Sequence, residues 1–313
     1  MTSHLSLSSL SGSSNSSTNS SSTVHFQKVG IVGCGLMGGS FALAIKKAKI
    51  TQHVVGFSQS KTSVDKALQL GAIDSAAPSL LELAQQCELI LLAVPVAATQ
   101  KTLEAILPGL QKNTFIMDVG STKLDVCEAA ELALGNLYSQ FLPCHPIAGR
   151  ERAGIEHSCV DLYENCKVIL CPHSSTPESI VLKAQSLWQT LGSQIVFMHA
   201  QEHDEIYATV SHLPHLLAFA YINSILNTPK SDKNFALAGT GFRDFSRIAG
   251  SDPTMWRDIL VANQKQVLQS LDAFSVELEK LKQMMTNSDG TQLSQAIGQA
   301  SEARGKWQLN RSH

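Results

Sequence analysis

The sequence predicts an α/β protein: an N-terminal doubly wound parallel sheet followed by an all-helical C-terminal domain. Three observations predict it. Short apolar runs alternate with helical patterns between residues 28 and 198, the mark of β-α-β units. The first of these runs ends in a glycine-rich turn, Gly33, Gly35 and Gly38, inside which a helix begins. After about residue 200 the strand patterns stop and apolar residues recur with helical period.

Composition sets the frame for that reading. A chain of 313 residues with 43% hydrophobic and 16% charged residues is long enough for two domains and apolar enough to fill their cores. The net charge of −2 offers no basic surface for a phosphate backbone, so no nucleic-acid partner is expected. The longest apolar run, 89–98, is about ten residues and contains Pro95, where a membrane span needs roughly twenty, so no membrane partner is expected either. Seven cysteines with no C-x-x-C pair indicate neither a disulfide framework nor a zinc cage. Reduced, mostly buried thiols in a cytoplasmic protein are expected.

Residues 1–24 are dominated by Ser, Thr and Asn and should be a disordered tail, without the features of a signal peptide or presequence. From there the elements follow in order. KVGIVG (28–33) is a strand, LMGGSFALAIKKAKI (36–50) a helix, HVVGF (53–57) a strand and SVDKALQLG (63–71) a helix ending at Gly71. ELILLAVP (88–95) and TFIMDVG (114–120) are buried strands, and the same parallel pattern continues through 141–146, 167–172 and 194–198. This places one domain at 25–199 and a helical one at 200–313. In the latter, 205–226 reads as one long helix bent at Pro214. Residues 252–285 read as one or two more, with Asp252 as N-cap and Pro253 at the first helical position.

Gly33, Gly35 and Gly38 spell G-x-G-x-x-G in the context that gives the motif meaning. The first glycine allows the tight turn, the second lets a pyrophosphate approach the backbone, and the third lets helix pack on strand. The helix N-terminus adds free N–H groups and its dipole. The domain is therefore read as a Rossmann-type dinucleotide-binding fold. An acidic residue about twenty positions on would bind the ribose 2′-hydroxyl of NAD. Position 58 is Ser, and Ser58, Ser60, Lys61 and Thr62 offer donors and a positive charge, which suit a 2′-phosphate. NADP is the preferred cofactor on this reading, with NAD the alternative.

Three further segments carry chemistry. DVGSTK (118–123) and CHPIAGRE (144–151) follow strands at the edge where doubly wound sheets bind ligands. SHLPH (211–215) and GFRDFSRIAGSDPTMWRD (241–258) lie in the helical half. His145 can take a proton near neutral pH. His212 and His215 share a helical face, but no third metal ligand is evident, so no metal is expected. Arg243 and Arg247, four apart, offer a cationic face or pair with Asp244 and Asp258.

With these motifs in place the sequence resembles the prephenate/arogenate (cyclohexadienyl) dehydrogenase family of tyrosine biosynthesis. GCGLMGGS (33–40), AVP (93–95), DVGSTK, HPIAG (145–149), SHLPH and GFRDFSRIAGSDPTMWRD carry the resemblance, which spans roughly residues 28–285. It implies a C-terminal helical domain that also makes a homodimer. It implies oxidative decarboxylation of prephenate to 4-hydroxyphenylpyruvate, or of arogenate to tyrosine, with hydride transfer to NAD(P). His145 would take the proton of the C4 hydroxyl, and Ser121 would sit between it and the nicotinamide. Arg247 would bind a substrate carboxylate, His212 would lie near the substrate side chain, Asp244 would support the site and Trp256 would shape the pocket. Leu36, Met37, Val94 and Pro95 would join the glycines, Ser58, Ser60, Lys61 and Ser121 around the cofactor.

Ser58 departs from the acidic residue of NAD-using members, and Arg150 and Glu151 pull in opposite directions on prephenate against arogenate. The chain offers no room for the chorismate mutase or regulatory domain of some relatives, so tyrosine inhibition would act at the active site. Two other readings remain open. A hydroxyacid dehydrogenase of similar architecture needs a catalytic lysine, for which Lys230, Lys233 and Lys265 lack a motif. A non-catalytic nucleotide sensor would keep the fold without the chemistry.

Overall fold

The computed structural model describes residues 24–148 and 154–307. The Ser-rich tail up to residue 23, Gly149 of the HPIAG motif, and Arg150 and Glu151 lie outside the described residues.

Six parallel strands form the main sheet: β1 (Phe26–Val32), β2 (Thr51–Phe57), β3 (Ser75–Ala76), β4 (Leu89–Leu92), β5 (Phe115–Asp118) and β6 (Phe141–Leu142), in the order β3-β2-β1-β4-β5-β6. Between them run helices α1 (Leu36–Lys47), α2 (Lys61–Gln69), α3 (Leu80–Gln86), α4 (Thr99–Ile106) and α5 (Leu124–Leu134). The order reverses between β1 and β4, which opens a crevice at their C-terminal ends. Alternation along each strand fills a core on both faces. Ile31, Leu89, Leu91 and Met117 pack with Phe41, Ile45 and Trp188 on one side. Val32, Ile90, Leu92 and Ile116 pack with Leu83, Leu103, Ile106 and Val126 on the other.

The sequence pattern continues the parallel sheet past residue 142, and here the structure corrects it. Cys144–Pro146 leaves the main sheet as β7 and heads a second sheet, β7-β8-β9, with β8 (Lys167–Leu170) and β9 (Gln194–Phe197). β7 runs antiparallel to β8, while β8 and β9 are parallel and joined through α6 (Glu178–Thr190). The cause lies at the junction. Pro143 has no N–H to give a ladder, and the Cys144 N–H donates instead to Asp118 Oδ1 at 2.9 Å. His145 is thereby turned off the sheet edge toward the helical domain.

That domain contains α7 (Ala200–Tyr207), α8 (Leu213–Leu226), α9 (Ser231–Ala236), α10 (Thr240–Ser246), α11 (Pro253–Ala262), α12 (Gln264–Thr286) and α13 (Gly290–Lys306). A widened π turn, Ala208–His212, joins α7 to α8. The bend expected at Pro214 is this turn: the proline sits in the first turn of α8, and the chain just before it opens up rather than break. Asp252 caps α11 as expected, accepting the Met255 N–H at 2.7 Å. The helical run 252–285 divides at Asn263, whose side chain is drawn to the α7 backbone, donating to the Asp204 carbonyl at 2.8 Å.

Candidate active site

The glycine turn is built for close approach. Gly33 has φ +102°, and a Cβ there would run into the Ala93 carbonyl at the end of β4. A Cβ on Gly38 would strike the Gly33 carbonyl oxygen, so the third glycine is what lets α1 close on β1. A Cβ on Gly35, by contrast, would meet nothing within 4 Å. Gly35 is also the N-cap of α1 and offers no side chain to the helix N–H groups. An open cradle with backbone donors and no cap fits a pyrophosphate, which Gly33, Gly35, Leu36, Met37 and Gly38 would hold. Val94 and Pro95 stand opposite, beyond β4. Ser58 follows β2 directly; Ser60 caps α2 by accepting the Ser63 N–H at 3.2 Å, and Lys61 opens that helix.

At the same edge, the loop after β5, the end of β7 and helices α7, α8 and α11 border an open cleft of about 900 Å³. Ser121, His145, Tyr207, His215, Arg247 and Trp256 line it. The structure therefore brings together four of the residues expected there: His145, Ser121, Arg247 and Trp256.

Two others take different places. His212 is buried and does not line the cavity. Its ring hydrogen-bonds the Ser121 backbone, and its Nδ1 accepts from Asn263 Nδ2 at 3.1 Å. The π turn rotates it inward, behind Trp256, so it props the Ser121 loop, and His215 one turn on is the histidine that faces the cavity. Asp244 is exposed on α10, 3.7 Å from Arg243 Nε, and does not line the cavity.

The DVGSTK segment is anchored below the site. Lys123 and Asp118 form a buried ion pair, and Lys123 Nζ also donates to the Cys144 carbonyl at 2.9 Å. Burial works against the ammonium, but the Asp118 carboxylate outweighs it and holds the Lys123 pKa above its ordinary value. This pair locks the end of β5 to β7 and so fixes Ser121 relative to His145.

Sequence reasoning missed His203 and Tyr207. His203 is fully buried, with Nε2 2.8 Å from His145 Nδ1 and Nδ1 2.8 Å from Asp204 Oδ1. Tyr207 stacks on His203 with ring centroids 4.5 Å apart and touches His145 at 5.0 Å. Their i, i+4 spacing on one helix face was the available signal. Burial pushes the His145 pKa well below the usual histidine value, with His203, Lys123 and His212 adding to the effect. Burial likewise takes His203 down to about 2 and His212 to about 4. A neutral imidazole lining a cleft at the sheet edge that also carries the glycine turn can accept a proton from a bound hydroxyl.

A Rossmann-type turn and, at the same sheet edge, a cleft lined by a neutral histidine and bordered by helices fit a two-domain, nicotinamide-dependent dehydrogenase. Comparison with known proteins narrows the class. Residues 41–197 match the nucleotide-binding domain of prephenate dehydrogenase, and residues 199–299 match its dimerization domain. The chain belongs to the prephenate dehydrogenase family. It is 31% identical over 281 residues to the cyclohexadienyl dehydrogenase of Zymomonas mobilis, covering 89% of this chain and 95% of that one. It is 34% identical over 279 residues to the prephenate dehydrogenase of Bacillus subtilis, covering 88% of this chain and 74% of the relative. Among solved structures it resembles the prephenate dehydrogenase of Aquifex aeolicus in complex with hydroxyphenyl propionate and NAD+. There the TM-score is 0.86 at 32% identity, over 91% of this chain and 99% of that one. No helix among the described residues is long and apolar enough to cross a membrane.

Proposed function

We propose that the chain oxidatively decarboxylates a cyclohexadienyl acid, prephenate or arogenate or both, with NADP preferred over NAD. The observation that carries this reading is the position of His145: a neutral imidazole lining a cleft together with Ser121 and Arg247, at the sheet edge that carries the glycine turn. His145 takes the proton of the ring C4 hydroxyl as that carbon becomes a carbonyl. A nicotinamide held at the glycine turn would supply the hydride acceptor, taking the C4 hydrogen together with the electron pair of its bond. The bond between C1 and its carboxylate then breaks, carbon dioxide departs, and its electron pair completes the aromatic ring. The proton on His145 returns to the phenolate oxygen or passes to solvent. Ser121 orients the hydroxyl toward the imidazole, and Arg247 holds a substrate carboxylate with its planar cation. The Trp256 wall shapes the ring's site and excludes water.

The NADP preference is supported by Ser58 at the end of β2, where a carboxylate would bind the NAD ribose, and by Lys61 at the start of α2. A homodimer is supported by the family's name for the helical domain and by exposed apolar side chains such as Leu237, Val261, Val276 and Met285. The place of action is the cytoplasm, supported by seven cysteines among which no C-x-x-C pair occurs.

The test is a four-way steady-state assay: prephenate or arogenate, each with NAD or NADP, followed by absorbance of the reduced nicotinamide. Turnover of either acid is expected, faster with NADP. Replacing His145 by Asn should lower kcat by roughly a hundredfold to ten-thousandfold and leave cofactor binding near normal. Full turnover by that variant, or silence in all four combinations with cofactor bound, would overturn the reading.

A further inference from the structure

Behind His145 lies a set of side chains that the reaction as written does not use. Asp204 Oδ1 accepts the Lys123 N–H at 2.9 Å, and Oδ2 accepts the Leu124 N–H at 2.9 Å. These are donors at the start of α5; they favour an ionised carboxylate and work against the burial that raises the Asp204 pKa. Asp204 Oδ1 also lies 2.8 Å from His203 Nδ1, and His203 Nε2 lies 2.8 Å from His145 Nδ1. The other titratable or charged groups around this chain are Lys123, Asp125, Cys127, Cys171, His212 and Tyr207.

The proton placement follows from elimination. A carboxylate oxygen can only accept, so His203 Nδ1 carries the hydrogen and donates to Asp204. A neutral His203 then has a lone pair on Nε2. The facing His145 Nδ1 must carry a hydrogen, or two lone pairs would meet at 2.8 Å. That leaves the lone pair of His145 on Nε2, the nitrogen that the chain does not occupy. The opposite arrangement would press the His203 Nδ1 lone pair against the Asp204 carboxylate.

We propose that His203, held by Asp204, is the positioning residue that fixes the tautomer and ring plane of His145, keeping its Nε2 free to accept the substrate proton. The proposal rests on His145 being the proton acceptor. It makes Asp204 an anchor in the helical domain for a base on the nucleotide-binding domain, so the base is in the correct tautomer only when the two domains are docked. Tyr207 holds the two imidazole planes by packing on both.

Two variants and one spectrum test it. In Asp204→Asn, with the NH2 in the Oδ1 place, the amide donates to His203 Nδ1, its oxygen keeps the Leu124 N–H, and the Lys123 N–H loses its acceptor. Both imidazoles then switch tautomer and His145 Nε2 becomes protonated. The expected kcat falls by roughly 10²–10⁴, the loss seen when a carboxylate that orients a catalytic histidine is made an amide. KM and cofactor affinity should change by less than about threefold, since neither Asp204 nor His203 lines the cavity. The residual rate should climb with pH instead of levelling, because hydroxide replaces the disabled base. His203→Gln, which leaves the α5 cap intact, should lower kcat by at least about tenfold with cofactor affinity kept. Histidine 15N NMR of the unliganded protein should show His145 protonated on Nδ1, and on Nε2 in Asp204→Asn. A wild-type His145 protonated on Nε2 overturns the proposal, as does wild-type kcat with a wild-type pH profile in either variant. His145→Asn run alongside separates the two claims. If it is inactive while both other variants are normal, only the positioning role fails; if it is fully active, the base assignment itself fails.

Discussion

The His215 ring lies face to face with the indole of Trp256, centroids 3.6 Å apart and planes 19° from parallel. The pair joins α8 to α11 and forms one wall of the cavity. Trp256 is 7% exposed, and the buried His212 ring stands edge-on to it at 6.1 Å, so the indole is wedged between the two histidines of the SHLPH motif. Truncating it removes both packing and the wall. Trp256→Ala should lose about 3–5 kcal/mol of stability in chemical denaturation. Its KM for the cyclohexadienyl acid should rise more than its kcat falls. Trp256→Phe should keep most of both, and an alanine variant with unchanged KM would remove Trp256 from the substrate wall.

The depressed histidines set the response to acid. His145 has a pKa well below the usual value, so its neutral, base-competent form persists as pH drops through 6.5. The acid limb of kcat/KM should therefore fall well below pH 6.5; an apparent pKa at or above 6.5 would contradict the buried environment. Stability behaves differently. With folded values of about 2 for His203 and about 4 for His212, the unfolded chain takes up protons near 6.5 that the native chain refuses. Stability is then full above that pH and is lost as pH falls, by up to about 1.4 kcal/mol per pH unit for each such histidine. Thermal midpoints at pH 7.5 and 5.5 should differ in that sense, and equal midpoints would count against neutral burial.

The β-α-β half was legible because its signals are local. Ile31 and Val32 report two buried faces within adjacent residues, and the three glycines report a turn within six. The departure of β7 was not legible, because the Cys144 N–H is captured by Asp118, 26 residues earlier. His203 escaped notice for the same reason: its partner His145 is 58 residues away, and only the docked domains make the contact. His212 and His215 are equivalent on a regular helix face, and the π turn that sends one inward is a backbone event with no residue type of its own. α13 has no buried residue among those described, and its short stripe of Leu293, Ala296, Ile297 and Ala300 was not read as a helix.

The Lys123–Asp118 pair makes a separate prediction about stability. Both side chains are essentially inaccessible, at 0% and 4% exposure. Lys123→Met fills the space but strands the Asp118 carboxylate, leaving it with only the Cys144 and Gly120 N–H groups. The cost should be about 3–5 kcal/mol in equilibrium unfolding, the range for breaking a buried pair from one side. Activity of the folded fraction should fall as well, because the pair sets Ser121 against His145. A loss under about 1 kcal/mol would show that the pair does not hold β5 to β7.

Arg247 stands at the cavity wall near His215, whose pKa is lowered chiefly by burial and further by the Arg247 charge. Its task on the proposed reading is to hold a carboxylate equally in substrate and transition state. Uniform binding of this kind appears in KM and not in kcat. A charge-assisted pair contributes about 1.5–3 kcal/mol, so Arg247→Ala should raise KM roughly 10- to 100-fold with kcat within a few-fold of wild type. Arg247→Lys keeps the charge and loses the two-pronged geometry, so its KM should fall between the two. His215 gives an internal check: removing the neighbouring cation should let its pKa rise, which histidine NMR reads without substrate. A collapse in kcat at unchanged KM would instead assign Arg247 to charge that develops during the reaction.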